Sequence, residues 1–273
     1  MKKSFGIIGN PIKHSLSPLM HNYWFKKYNI EANYSIIDCK ENNLSLIVKK
    51  IKDESLNGIN VTLPFKQKII NYVDKAVNDA EITGSINTLF LDNKSNVIGE
   101  NTDVFGLQAA YLKEIENGTN KKALVIGAGG VSPSVILSLQ KSGIKHISIT
   151  NRTYEKCLFL QKKFKYLNIL PWSSLQIEIA NYDIIFNATS LGLKDGPDFE
   201  FDFSKFNMNS TYIDTIYNPL KTKTFEYLKD KGVKVFNGLD MFLYQGQKSF
   251  YLWNKINPEI DNDLINLLLS NLK

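Results

Sequence analysis

The chain has 273 residues, 33 Lys and Arg against 27 Asp and Glu, a formal charge of +6, and 43% apolar residues. That is enough for one large or two medium domains with real cores, and the composition excludes a disordered or fibrous chain. No apolar run nears the ~20 residues that span a bilayer, the basic residues are scattered, and the apolar stretch after Lys2-Lys3 stops at Gly9, too short for a secretion signal. Neither membrane nor nucleic acid is an expected partner; a small anionic ligand fits the charge equally well. Cys39 and Cys157 stand far apart with no CxxC pair, which argues for a reducing, cytoplasmic setting. His14, His21 and His146 lack ligand spacing, so no metal is expected.

Short β-rich runs are expected at Phe5–Ile8, Tyr34–Ile37, Ile59–Leu63, Ala123–Ile126, His146–Ile149, Asp183–Phe186, Tyr212–Asp214 and Val233–Phe236. Segments with helical spacing separate them. Such alternation predicts an α/β fold of parallel sheets covered by helices.

After the first strand comes Gly9-Asn-Pro11-Ile-Lys-His14-Ser15-Leu-Ser17-Pro18. Ser17 and Pro18 read as N-cap and first position of a helix that buries Leu19, Tyr23 and Trp24. A plain cap is one reading. The other is that Ser15, Ser17 and the open helix N–H groups receive a carboxylate.

In Gly58-Ile-Asn60-Val-Thr62-Leu-Pro64-Phe-Lys66, strand alternation turns Ile59, Val61 and Leu63 to a core and Asn60 and Thr62 to the opposite face, as a ligand wall. Lys66 is expected to open a helix with the stripe Ile69, Val73, Val77 and Ala80. A helix N-terminus disfavours a cation, which suits a lysine that hands over a proton; an ordinary exposed lysine fits equally well. Gly84-Ser-Ile-Asn87-Thr88 and Gly99-Glu-Asn101-Thr-Asp103-Val-Phe-Gly106 are polar clusters or simply turns.

A domain boundary is expected near Asn101–Phe105, followed by a helical stretch, Leu107–Ile115, and a polar loop, Glu116–Lys122. Then Lys122-Ala-Leu-Val-Ile-Gly127-Ala-Gly129-Gly130-Val-Ser132-Pro133 reads as strand, glycine turn and helix start, the pattern that seats a pyrophosphate on a helix N-terminus. Ser132 stands where Gly or Ala is usual. The next strand ends in Asn151-Arg152-Thr153, with Lys156 one turn on. An NAD site would place an acidic residue there. A guanidinium suits a 2′-phosphate instead, so NADP is the expected cofactor. A second boundary near Gly238 precedes an apolar helix carrying Met241, Phe242, Leu243, Phe250 and Trp253. The expected domains are therefore 1–104 plus 239–273, and 105–238.

In this order and spacing the motifs resemble the shikimate dehydrogenase family over nearly the whole chain. They are Gly9-x-Pro11-x-x-His14-Ser15-x-Ser17-Pro18-x-x-His21-Asn22, Asn60-Val-Thr62-x-Pro64-x-Lys66, Asn87-Thr88 and Asn101-Thr-Asp103-x-x-Gly106. There follow Gly127-Ala-Gly-Gly130, Asn151-Arg-Thr153, Asn187-Ala-Thr189-x-x-Gly192 and Gln245 ahead of Phe250 and Trp253. The resemblance implies NADPH-dependent reduction of 3-dehydroshikimate to shikimate, a substrate domain and a Rossmann-like NADP domain, and a monomer or homodimer. It also implies Ser15 and Ser17 as a carboxylate clamp helped by Tyr217; Asn60, Thr62, Asn87, Asp103 and Gln245 around the substrate ring; and Lys66 with Asp103 as the catalytic pair. Gly127, Ala128, Gly129, Gly130, Val131, Asn151, Arg152, Thr153, Lys156, Thr189, Thr215 and Gly238 are the implied cofactor contacts. Val131, Pro133 and Asp240 depart from the family's usual residues. Quinate with NAD is the nearest rival substrate and cofactor, a non-catalytic metabolite sensor the rival from another class.

Overall fold

The computed structural model describes residues 2–113, 120–193, 196–200 and 202–272. Ile115 and most of the expected Glu116–Lys122 loop lie outside them. Two compact units divide the chain: Met1–Gly106 with Leu243–Asn271, and Leu107–Phe242 with the last two residues.

The first unit contains β1 (Lys3–Ile8), α1 (Ser17–Lys27), β2 (Ala32–Ile36), α2 (Leu44–Lys52), β3 (Gly58–Val61), β4 (Lys75–Ala76), α3 (Asp79–Thr83), β5 (Thr88–Leu91) and β6 (Val97–Glu100). Its six strands are ordered β2-β1-β3-β5-β6-β4. The sheet is mixed rather than parallel, because β5 runs antiparallel to both β3 and β6. The β5–β6 hairpin escapes the sequence pattern because its turn hides in a polar run. Asp92 Oδ1 accepts from the N–H groups of Lys94 and Asn96, an Asx-type turn built from polar residues alone.

Alternation along β3 sends Ile59 and Val61 into a core with Ile8, Leu44, Ile47, Ile51 and Leu89. Each such side chain contributes about 1.5–3 kcal/mol on burial. The other face of the sheet meets rings: Phe5 lies 5.1 Å from both Phe25 and Trp253. His21 stacks on Tyr34 at 4.5 Å. Burial pushes His21 down to about 3, so it packs there as a neutral ring.

Three local expectations are corrected. Leu63 is 57% exposed, because β3 ends at Val61 and the chain turns away. Ser17 is the first residue of α1 and not its cap: Leu16 holds that place without a side-chain cap bond, and the Ser17 N–H donates to Ser15 Oγ at 3.3 Å. Met20, His21, Trp24 and Phe25 form its buried stripe, while Leu19 and Tyr23 are only half-buried. No α-helix starts at Lys66: turns and one tight helical turn at Ile69–Asn71 lead into β4. There the apolar spacing loses to pairing across the sheet edge, as β4 docks on β6 and Asp74 Oδ2 accepts from Val97 N–H at 2.7 Å. The dipole argument for Lys66 falls with that helix.

Between the two sheets in sequence, α4 (Thr102–Leu107) continues into a π-helical turn at Gln108–Leu112. The second unit then runs through β7 (Lys122–Ile126), α5 (Ser132–Lys141), β8 (His146–Thr150), α6 (Tyr154–Lys163), β9 (Asn168–Ile169), α7 (Leu175–Glu178), β10 (Ile184–Asn187), β11 (Thr211–Asp214), α8 (Lys223–Asp230) and β12 (Lys234–Phe236). Every pairing in its sheet is parallel, in the order β12-β11-β10-β7-β8-β9. The strand order reverses between β7 and β10, the topological switch point where open α/β sheets bind ligands. Strands buried on both faces carry near-continuous apolar runs, as Ala123–Ile126 and Ile184–Phe186 do. Last come α9 (Leu239–Asn254) and α10 (Asn262–Leu269). Most of α9, from Leu243, and all of α10 belong to the first unit.

Candidate active site

In the first unit the candidates gather at one end of the sheet. β1 and β3 are parallel and two antiparallel steps make β6 parallel to them. The loops after β1, β3 and β6, which carry Ser15 and Ser17, Thr62 and Lys66, and Asp103, therefore leave at the same edge. Because β5 runs the other way, Asn87, just before its first residue, arrives at that edge too. Lys66 Nζ donates to Asp103 Oδ2 at 2.7 Å, with side chains only 12% and 4% exposed. The other oxygen of Asp103 accepts from Asn87 Nδ2 at 2.8 Å. Charge-assisted bonds of this length are about twice as strong as neutral ones. They leave the carboxylate a single orientation.

Asn87 is itself fixed. Its Oδ1 accepts from Thr102 N–H at 2.8 Å, and its Nδ2 also donates to Thr102 Oγ1 and, at 3.4 Å, to Gln245 Oε1. Behind it, Asn60 accepts from Tyr34 Oη at 2.7 Å and donates to Thr88 Oγ1, Ser249 Oγ and the Asn87 carbonyl. Asn60 is thus buried and bonded within the protein, on the face that alternation assigned it. Thr88, Thr102 and Ser249 form a buried hydroxyl cluster that sequence reasoning missed. For Ser249 the only trace was its place one helical turn after Gln245, whose carbonyl accepts from its hydroxyl. Ser15 Oγ lies 3.2 Å from Ser17 Oγ at the start of α1. Thr62, half-buried, comes directly after the last residue of β3. Tyr217 belongs to the second unit, where its ring stacks on Phe242 at 4.6 Å.

In the second unit each candidate follows the carboxyl end of a strand: 127–131 after β7, 151–153 after β8, Thr189 after β10, Thr215 after β11 and Gly238 after β12. Gly127 has φ +110°, and a Cβ there would sit 2.8 Å from the Ala188 carbonyl oxygen. Only glycine takes that turn without strain. At Gly129 a Cβ would meet nothing nearer than 3.9 Å, leaving open space over the backbone. Ser132 earns its unusual place by bridging the turn: its hydroxyl accepts from Gly129 N–H at 3.0 Å and donates to the Gly127 carbonyl at 2.9 Å. Pro133 sits in the first turn of α5, where no N–H is needed. Asn151 Oδ1 accepts from Ala128 N–H, tying the second loop to the first. Arg152, Thr153 and Lys156 are exposed, and among the described residues no acidic side chain pairs with Arg152 or Lys156. A glycine turn with open space over Gly129, a helix N-terminus and an unpaired guanidinium after the second strand fit an adenine dinucleotide with a 2′-phosphate.

Residues 7–89 match the family described as shikimate dehydrogenase substrate binding domain, and residues 110–192 match shikimate / quinate 5-dehydrogenase. The shikimate dehydrogenase (NADP(+)) of Pelagibacter ubique is 43% identical over 98% of this chain and 99% of its own length. The chain belongs to the shikimate dehydrogenase family. Two solved shikimate dehydrogenases share its fold. That of Aquifex aeolicus has a TM-score of 0.88 at 33% identity, over 100% of this chain and 98% of its own. That of Thermus thermophilus, in complex with NADP(H) and shikimate, has a TM-score of 0.88 at 29% identity, over 99% and 100%. Among the described residues no helix is long and apolar enough to cross a membrane, and no cluster of His, Cys, Asp or Glu could hold a metal.

Proposed function

We propose that this member of the shikimate dehydrogenase family catalyses the reversible, NADP-dependent interconversion of 3-dehydroshikimate and shikimate, a step of aromatic amino-acid biosynthesis. The observation that carries the chemistry is the Lys66–Asp103 pair at 2.7 Å, its carboxylate held from the far side by Asn87. Bound NADPH supplies the hydride for the C3 carbonyl carbon. Negative charge then grows on the ketone oxygen, and a donor at that oxygen stabilises the transition state more than the ground state. Lys66 is that donor: it hydrogen-bonds the oxygen and delivers the proton. Asp103 aims the lysine and accepts from a neighbouring ring hydroxyl.

Ser15 and Ser17 hold the substrate carboxylate, their hydroxyls 3.2 Å apart. Thr62, Asn87 and Gln245 bond the ring hydroxyls, with Asn60 orienting Asn87 from behind. Residues 127–131 seat the pyrophosphate, Asn151, Arg152, Thr153 and Lys156 the adenosine 2′-phosphate, and Thr189, Thr215 and Gly238 the remainder of the cofactor. The domains of this reading are 1–104 plus 239–273 for substrate and 105–238 for NADP. Cys39 and Cys157 are buried and unpaired, which fits the cytoplasm.

The test is the nicotinamide absorbance band, followed with purified protein, shikimate and NADP⁺ or NAD⁺. Rapid NADP⁺ reduction, slow NAD⁺ reduction and no turnover of quinate are expected. A faster reaction with quinate and NAD⁺ would replace this reading.

A further inference from the structure

Asp214 is a carboxylate with 1% exposure and, among the described residues, no cation beside it. Burying such a group is costly unless hydrogen bonds compensate it. Its Oδ1 accepts from Ile216 N–H at 3.0 Å and Asn187 Nδ2 at 3.2 Å, and its Oδ2 accepts from Thr222 Oγ1 at 2.9 Å. Thr222 in turn caps α8 by accepting from Phe225 N–H.

Asn187, fully buried, distributes the order further. Its Oδ1 accepts from both the N–H and the hydroxyl of Thr189, at 3.0 and 2.7 Å, while its Nδ2 also donates to the Leu191 carbonyl. Its main-chain carbonyl accepts from the N–H and the hydroxyl of Thr215, at 3.1 and 2.9 Å. The Ile216 carbonyl then accepts from Gly238 N–H at 2.8 Å, and a Cβ on Gly238 would lie 2.3 Å from the Thr215 carbonyl oxygen. The loop after β10 thus hangs on the Asn187 amide, the loop after β11 on the Asp214 carboxylate and the Asn187 main-chain carbonyl, and the loop after β12 on the Ile216 carbonyl that Asp214 positions through the Ile216 N–H.

We propose that Asn187 and Asp214 are a positioning pair for cofactor binding: together they set the paths of the loops bearing Thr189, Thr215 and Gly238. The pair acts through those loops and touches no reacting atom. The inference rests on the reading of these loops as cofactor contacts. It assigns cofactor affinity to two residues that look, by burial, like ordinary core.

The experiment uses the full-length protein and separates the two Michaelis constants. Asn187→Ala and Asp214→Ala are expected to raise KM for NADP⁺ about tenfold or more, the loss of one or two well-formed hydrogen bonds, with KM for shikimate within about twofold. Asp214→Asn keeps the shape and an acceptor for Asn187 and Ile216, and is expected to restore KM for NADP⁺ to within about threefold of wild type. Asn187→Ser carries the same expectation as the alanine variants where those do not fold. Equal changes in both constants, or loss of folded protein with neither constant altered, would overturn the proposal. Gly129→Val fills the open space at the glycine turn and tests the underlying reading separately. If it weakens NADP⁺ binding while the Asn187 variants do not, only the positioning role fails. If none of them weakens it, the cofactor site itself is wrongly placed.

Discussion

The two units solve recognition in opposite ways. In the first, the candidate site is made of side chains that are buried and bonded to one another: Asn60, Asn87, Thr88, Thr102, Asp103 and Ser249 form one connected polar network beneath Lys66. In the second, the candidate surface is backbone and exposed cation: a glycine turn, loop N–H groups, Arg152 and Lys156. A polyhydroxylated ring needs donors and acceptors at fixed points, which demands satisfied partners behind each one. A pyrophosphate needs N–H groups and room, which a strand–glycine–helix turn provides from its backbone, here held in shape by the Ser132 and Asn151 side chains.

That contrast can be broken most sharply at Lys66. Lys66→Ala removes the proton donor, so kcat is expected to fall about 10²–10⁴-fold with KM for both substrates little changed. A kcat within about threefold of wild type would remove Lys66 from the chemistry.

The next effect belongs to the second unit and to stability. Burial raises Asp214 from 3.8 to about 6, so its ionised form is disfavoured in the folded state. A raised pKa contributes stability that is complete below pH ~4 and is lost as pH rises through about 6. That rise corresponds to roughly 3 kcal/mol. Asp214→Asn abolishes that titration, so urea unfolding from pH 4 to 8 should show wild type losing stability relative to the variant as pH rises. A constant difference across that range would mean that Asp214 does not titrate there.

Ser17→Ala sharpens the comparison from the substrate side. A hydrogen bond to a charged group contributes about 1.5–3 kcal/mol, so KM for shikimate should rise roughly 10- to 100-fold while KM for NADP⁺ stays put. A matching rise in both would deny the carboxylate clamp. The smallest effect is expected at Arg152, because an exposed charge works through solvent and is screened by salt. Arg152→Ala should lower the preference for NADP⁺ over NAD⁺ about tenfold at low salt and less at high salt. An unchanged preference would move the 2′-phosphate elsewhere.

The legible parts of this molecule were local. Strand–turn–helix units announce themselves through apolar runs and glycine, so the second sheet could be read strand by strand, except the two-residue edge strand β9. The alternation that set Asn60 apart from Ile59 and Val61 likewise survived folding. Where local spacing met a tertiary demand, it lost. The stripe Ile69, Val73, Val77, Ala80 has helical period, yet the segment became turns and an edge strand because β6 needed a neighbour. The antiparallel β5 went unread because the turn after it, Asp92–Asn96, is a polar run, although its reversal is what brings Asn87 to Asp103.

The sequence by itself determined the α/β class and the strand–glycine–helix turn, since each rests on residue type and near spacing, while Lys66 and Asp103 were singled out only through the family resemblance. Only the tertiary structure decided how Lys66 and Asp103, far apart in the chain, come within 2.7 Å of each other, and which buried groups hold them there. The physical reason is that a hydrogen bond across strands depends on register and strand direction. Those are settled by the packing of the whole sheet and by no single segment within it.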